Sequence, residues 1–293
     1  MAKSANTQRH WLVDLLVRMV RTKPLGTACG VVVLALIVVA VFADVLAPYP
    51  YDEIRLMEIL EPPSARHLLG TDNVGRDFLS RIIHGARVSL LVGLAATTIS
   101  VVVAVLVGGV TGFLGGKLDL VVQRFVDAWI AFPGLLLLLT LMSVLGRGVL
   151  QIILVLGISG GIGSGSRVVR SAVIGIKENV YFEAGDAIGS STWRMLTRHV
   201  LPNIAPPVII IFSISIGGYI LSAASLSFLG FGLPPDVPDW GGMLSREGRT
   251  YMEAAPRLAL WPGLCLTLVV YSLNMFGDAL RDLLDPRLRG SDR

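Results

Sequence analysis

The sequence predicts an all-α polytopic membrane protein, a bundle of six spanning helices, on three observations. The 293 residues are 53% hydrophobic and only 16% charged, with a mean hydropathy of +0.70, too apolar for a soluble domain of this length. Six stretches, 24–43, 88–116, 128–146, 148–166, 204–235 and 258–277, contain no Asp, Glu, Lys or Arg. None alternates with a period of two, and lipid leaves only helices and closed barrels able to pair every backbone group, so helices are expected.

Each run can supply one span, since about 20 helical residues cross the hydrocarbon core. Before the first, "QRHWLVDLLVRMVRTKP" sets Trp11, Leu15 and Met19 beside Leu12, Leu16 and Val20, with Arg9, Asp14, Arg18 and Arg21 elsewhere around the helix. This spacing suits a helix on the inner membrane surface, and equally a flanking helix packed on a partner. The first run outlasts the apolar region of a secretory signal, so an uncleaved helix is expected despite the cleavage-like "VFA" at 41–43. In the second, Gly108, Gly112 and Gly116 repeat a small-xxx-small spacing that predicts a close neighbour. "GISGGIGSGS" at 157–166 has Ser166 where a nucleotide loop would place its third glycine, and predicts close helix approach instead. Cys29 and Cys265 lie inside apolar runs, without metal or redox spacing, and read as packing residues.

Orientation follows the basic residues. Placing the N-terminus inside puts 16 of the 25 Lys and Arg residues in the cytoplasm, including all four lysines, Lys3, Lys23, Lys117 and Lys177. The opposite segments, 44–87, 147 and 236–257, hold arginines nearly balanced by acids such as Asp72, Asp77, Glu247 and Glu253. Both termini are therefore expected in the cytoplasm.

Several activities lack the residues they need. A proton- or sodium-driven carrier shows ionisable groups within its spans, and these runs have none. "TGFLGGKL" at 111–118 lacks the first glycine of a phosphate loop and has Leu118 where a Ser or Thr would reach magnesium. His10, His67, His84 and His199 are scattered, no G-x-S-x-G or H-E-x-x-H occurs, and no catalytic or metal site is expected. A stand-alone carrier or channel stays open as a rival, and a membrane enzyme would require a catalytic group the residues do not reveal.

The stretch "YFEAGDAIGSSTWRMLTRHVLPN", 181–203, interrupts the apolar pattern on the cytoplasmic side. From Tyr181 to Ile188 a short helical pattern puts Tyr181, Ala184, Gly185 and Ile188 on one face, with Glu183 and Asp186 on another. Gly189 ends it by taking positive φ, and Ser190 or Ser191 caps a second helix with apolar members Trp193, Leu196 and Val200. Arg194 and Arg198 suit the end of its dipole, and Pro202 is expected to close it. Such a helical hairpin, too small to bury its own aromatic and aliphatic side chains, fits a partner's groove; packing on the chain's own helices is the alternative.

These residues resemble the cytoplasmic loop signature of bacterial ABC importer permeases, with Glu183, Ala184, Gly185, Gly189, Leu201 and Pro202 in register. Gly185 replaces the second alanine of that pattern, which weakens helix propensity by about 1 kcal/mol, and His199 fills an aliphatic position. "RHVLPN" is similar to the form found in dipeptide and oligopeptide permeases. "HLLGTDNVGRDFLSRIIHGARVSLLVG", 67–93, carrying Gly70, Thr71, Asp72, Gly75, Arg76 and Asp77, resembles the segment entering the second span of the C-type subunit of peptide importers. "SFLGFGLPPDVPDWGGMLSREGR", 227–249, resembles that family's outer loop between the last two spans.

The resemblance implies a type I importer permease with a cytoplasmic coupling helix: a cytoplasmic amphipathic segment 1–25, a first span 26–47, an extracytoplasmic segment 48–87, a five-helix core 88–280 containing the coupling loop 178–203, and a cytoplasmic tail 281–293. It implies half of a dipeptide or oligopeptide pore in the bacterial inner membrane, not itself an enzyme. Expected partners are a homologous second permease, two ATP-binding subunits and an extracytoplasmic solute-binding protein, with no nucleic acid. ATP and Mg²⁺ would sit on the ATPases and no cofactor on this chain. Tyr181, Glu183, Ala184, Gly185, Gly189, Trp193, Leu196, Leu201 and Pro202 would carry coupling. Relatives that move nickel, glutathione or short glycans remain alternatives, although no span carries a His or carboxylate cluster to select metal. Arg76, Asp77 and Arg81 read either as a local ion-pair network, worth little if exposed, or as substrate contacts.

Overall fold

The computed structural model describes residues 17–284. Arg9, Trp11, Leu12, Asp14, Leu15 and Leu16 of the expected surface helix, and positions 285–293 of the expected tail, lie outside the described residues. The helices that organise the chain are α1 (Pro24–Val41), α2 (Phe78–Leu114), α3 (Gly116–Ala131), α4 (Gly134–Leu145), α5 (Val149–Lys177), α6 (Val180–Ala187), α7 (Thr192–Phe228), α8 (Trp240–Met243) and α9 (Arg257–Leu284).

Five of them, α1, α2, α5, α7 and α9, are long and apolar enough to cross a membrane. The remaining run, 128–146, is not the straight span the sequence predicts: α3 and α4 meet at 94° and together can supply one broken crossing. Pro133 explains the break. It lacks an N–H, and it holds Phe132 extended at φ −75° and ψ 138°, outside helical space.

The centre of the bundle is α2. Asp77 caps it, accepting from the Ser80 N–H at 2.8 Å. On its C-terminal half Gly108 and Gly112 let α5 approach until a Cβ on Gly108 would lie inside contact distance of the Ser166 carbonyl oxygen and 2.9 Å from the Arg170 nitrogen. Gly116, the third member of the expected glycine series, begins α3 and has no such neighbour within 4 Å among the described residues. From the other side Gly157 fits against Ile99 and Gly161 against Val103 and the Ser100 carbonyl, so α5 meets α2 along most of its length. At Gly161–Gly165 α5 is kinked: Gly163, at φ −70° and ψ −116°, leaves helical space, so two helical halves join there.

Buried apolar side chains form three clusters: one with Phe78, Trp240 and Leu258, a second with Val92, Ile152 and Leu226, and a third with Val169, Val173, Val200 and Ile204. α1 closes on α9 through Gly26 against Ala279 and through Lys23–Asp282 at 2.5 Å. Because lipid supplies no hydrophobic drive between helices, close small-residue approach carries this association. Gly108→Val is therefore expected to destabilise the bundle by about 1–3 kcal/mol, as overpacking does, read as a lower Tm in detergent. An unchanged Tm would mean that α5 can slide off α2 at no cost.

Candidate functional site

The hairpin that joins the C-terminal end of α5 to the start of α7 forms as the sequence implies, with one difference. α6 stops before Gly189, which takes φ +72°, and the Ser191 side chain accepts from the Arg194 N–H at 3.4 Å to start α7. The chain then does not end its helix at Pro202. At Leu196–Val200 α7 widens into a π turn whose Leu201 N–H reaches back to the Leu196 carbonyl. This wider turn seats a proline that lacks an N–H and would crowd the i−4 carbonyl of a regular helix, so α7 continues to Phe228.

Three contacts fix the hairpin to the bundle. Val200 is fully buried in the third cluster, Phe182 meets Phe113 of α2 edge-on with ring centroids 6.1 Å apart, and Lys177 donates to the Phe113 carbonyl at 2.7 Å. Within the hairpin, buried Gly185 packs on Met195; a Cβ there would lie 2.9 Å from its sulfur. An alanine at this position would require the flexible end of Met195 to shift. His199 faces Tyr181 across the hairpin, ring centroids 6.1 Å apart.

What remains faces away from the chain. Trp193 is 75% exposed and Ile188 82%, while Val180, Tyr181, Glu183, Ala184, Leu201 and Pro202 are also exposed and Leu196 is half-buried. The expected apolar face of Trp193, Leu196 and Val200 is therefore split: Val200 anchors inward and Trp193 projects outward. Val180 and Ile188 join Trp193 as outward apolar side chains; the sequence placed Ile188 on a face but gave no sign of its exposure. Lys177 and Phe113 were missed because their contact joins residues 64 apart.

At the opposite end of the bundle, Gly70, Thr71, Asp72, Gly75, Arg76 and Asp77 fold onto the N-terminus of α2, where Thr71 and Asp77 form an antiparallel backbone β-bridge. Asp72, fully buried, accepts from the Val74 and Arg76 N–H groups at 2.9 Å and from Arg76 Nε at 2.6 Å. Arg76 also reaches Glu247 at 3.3 Å. Arg81, fully buried, stands 3.6 Å from Asp72 and 3.9 Å from Glu247. Asp77 does not join these arginines: it caps α2 and faces His67 Nδ1 at 2.9 Å, while His67 Nε2 faces Glu58 at 3.2 Å. The expected ion-pair network is thus present without Asp77 and is buried, not exposed. Burial pushes the Glu247 carboxyl above the usual range against the pull of Arg81 and Arg246, and raises Asp239 likewise. Deeper along α2, Arg87 donates to both Asp44 oxygens at 3.0 and 2.9 Å, which holds that carboxyl below its usual value.

Residues 101–290 match the family described as binding-protein-dependent transport system inner membrane component, and residues 14–63 match the N-terminal transmembrane domain of oligopeptide transport permease C. The chain is 38% identical over 268 residues to the glutathione transport system permease protein GsiD of Pectobacterium atrosepticum, covering 90% of this chain and 87% of that one. It is 37% identical over 259 residues to the dipeptide transport system permease protein DppC of Alkalihalophilus pseudofirmus, covering 88% and 84%. A solved structure of the MetNI methionine ABC transporter in inward-facing conformations aligns with a TM-score of 0.49 at 18% identity, covering 67% of this chain and 94% of that one.

Proposed function

The chain belongs to the inner membrane components of binding-protein-dependent transport systems, and we propose that it forms one half of the translocation pathway of an ATP-driven importer of dipeptides and oligopeptides. In this reading it sits in a bacterial inner membrane with both termini cytoplasmic. It pairs with a homologous second permease, and each half docks one ATPase. The chain itself catalyses nothing; ATP and Mg²⁺ are held by the ATPases, and an extracytoplasmic protein delivers the peptide.

The observation that carries the reading is the hairpin of α6 and the start of α7: anchored on its inner side by Val200, Phe182 and Lys177, it turns Trp193 and Ile188 outward. A rigid element with unburied large apolar side chains suits a groove on another protein. Because α5 enters the hairpin and α7 leaves it, a push on the hairpin is delivered to two helices at once. Gly189 supplies the bend, Glu183 a polar contact, and Trp193 with Leu196 the apolar insert.

A glutathione importer is the second reading, favoured by the similarity to a permease of that name. Glutathione is itself a tripeptide, so the two readings share a pathway for small, flexible, zwitterionic solutes. Affinity purification from the native membrane is expected to recover a second permease and ATPases, and proteoliposomes of that complex to take up labelled dipeptide only with ATP inside. Uptake by this chain without ATPases would establish a carrier or channel instead.

A further inference from the structure

His67, in the segment between α1 and α2, has no exposed surface, and each of its ring nitrogens faces a carboxylate: Nδ1 stands 2.9 Å from Asp77 and Nε2 3.2 Å from Glu58. A neutral imidazole offers one N–H and one lone pair, so on its own it can make only one of these two bridges. Its main chain gives it no freedom to turn away. The His67 N–H donates to the Ser64 hydroxyl at 3.1 Å, and the His67 carbonyl accepts from the Ser64 and Gly70 N–H groups at 2.8 and 2.9 Å. The Tyr49 ring closes a further side, with ring centroids 5.0 Å apart. His84 shows the contrasting case: its Nδ1 faces the Ser80 carbonyl at 2.9 Å and its Nε2 faces Asp44 at 3.2 Å, but the Asp44 side chain is 72% exposed, so water can take over that contact. At His67 both bridges close only if the three groups hold one proton more than a neutral ring and two ionised carboxylates supply.

Both carboxylates are placed to stay ionised, which puts that proton on the ring. Desolvation raises the Glu58 carboxyl, but hydrogen bonds from Arg55 and His67 and the charge of Arg66 outweigh it and hold the group below its usual range. Arg66 approaches Glu58 to 2.7 Å and Arg55 to 3.3 Å. Asp77 caps α2, its second oxygen accepting from the Ser80 N–H at 2.8 Å and from the Ser80 hydroxyl at 2.7 Å, and a helix N-terminus favours negative charge. The charged groups around the imidazole are thus Glu58, with Arg55 and Arg66 behind it, and Asp77 at the head of α2. A buried imidazolium here has an opposite charge on each side, the pairing that burial of a charge requires.

We propose that Glu58, His67 and Asp77 form a proton-binding site whose proton clasps the turn at 58–61 to the head of α2. The Leu60 and Glu61 carbonyls of that turn accept from Arg257 at 3.0 and 2.8 Å, so the clasp joins the heads of α2 and α9. When the proton leaves, a ring lone pair stands opposite a carboxylate with no hydrogen between them, a buried acceptor without a donor. The proton passes to solvent by way of Glu58, whose side chain keeps 15% exposure, and the clasp therefore loosens as pH rises. This goes beyond the transport reading, which enters only in placing the site on the extracytoplasmic side.

The test is thermal unfolding of the full chain, in the complex in which it purifies, between about pH 5 and pH 9, either side of the ordinary imidazole value of about 6.5. Wild type is compared with His67→Gln, which keeps a donor and an acceptor but does not titrate; the other titrating groups are common to both proteins and cancel in the difference. Wild type is expected to melt higher by about 2–4 °C at the acid end, and to lose most of that advantage at the alkaline end. A difference that stays constant with pH, or grows as pH rises, overturns the proposal. Should His67→Gln fail to assemble, wild type decides with its chain labelled at histidine nitrogen. Its 15N spectrum at neutral pH is expected to contain an imidazolium, with both ring nitrogens protonated, whose signals move in Glu58→Gln. Neutral rings alone, or an imidazolium indifferent to Glu58→Gln, overturn the site. Neither measurement requires solute uptake, so a failure of the transport reading leaves the result legible.

Discussion

Gly189→Val is expected to uncouple ATP hydrolysis from uptake while leaving membrane insertion intact. Gly189 holds φ +72° at the bend of the hairpin, and among the described residues no atom lies within 4 Å of where its Cβ would stand. The substitution therefore meets no steric obstacle; its penalty lies in the backbone, about 1–2 kcal/mol for an ordinary side chain in left-handed space and most severe for a β-branched one. Relief requires the bend to open, which re-aims Trp193 and Ile188 relative to the anchored Val200 and Phe182. A misdirection worth about 1.4 kcal/mol is tenfold in the population of the docked form, so uptake should fall by roughly that factor or more, measured beside ATPase activity in proteoliposomes. Gly189→Asn separates conformation from side-chain loss, because asparagine tolerates left-handed φ, and it should retain most uptake. If valine transports as glycine does, the bend plays no part in coupling.

Much of this hairpin is legible in the sequence because its signals are local. Gly189 between a helical pattern and Ser190–Ser191 marks a turn and a cap, and both form. The spans are legible because a charge-free run of about 20 residues is a property of composition. The failures share a cause. Pro202 reads as a terminator under regular i−4 hydrogen bonding, and only the π turn at Leu196–Val200 changes that geometry. The run 128–146 reads as one span because it is free of charge, yet Pro133 divides it and α3 and α4 meet at 94°. The outer charge cluster joins Arg76 to Glu247 across 171 residues; without a pattern linking such distant positions, neither the partner nor its burial can be read from the residues. Burial is what changes the energetics of that cluster most.

Asp72→Ala should therefore be among the most destabilising single substitutions outside the spans. Asp72 has no exposed surface; it accepts two main-chain N–H groups and Arg76 Nε and lies 3.6 Å from Arg81. An exposed network of this kind would contribute about 0–1 kcal/mol. A buried one behaves differently: removing one member leaves opposite charge without compensation, typically costing about 3–5 kcal/mol. Here the loss would strand Arg76 and Arg81 with Glu247 as the remaining carboxylate, a group whose own charged form burial already disfavours. Two freed N–H groups in the turn at 72–76 add to the loss. Asp72→Asn keeps an acceptor for that turn and isolates the charge, so its effect should be smaller. Thermal unfolding of the purified complex in detergent measures both, and a loss below about 1 kcal/mol for the alanine variant, the range of an exposed pair, would show that water reaches Arg76 and Arg81 in the folded protein.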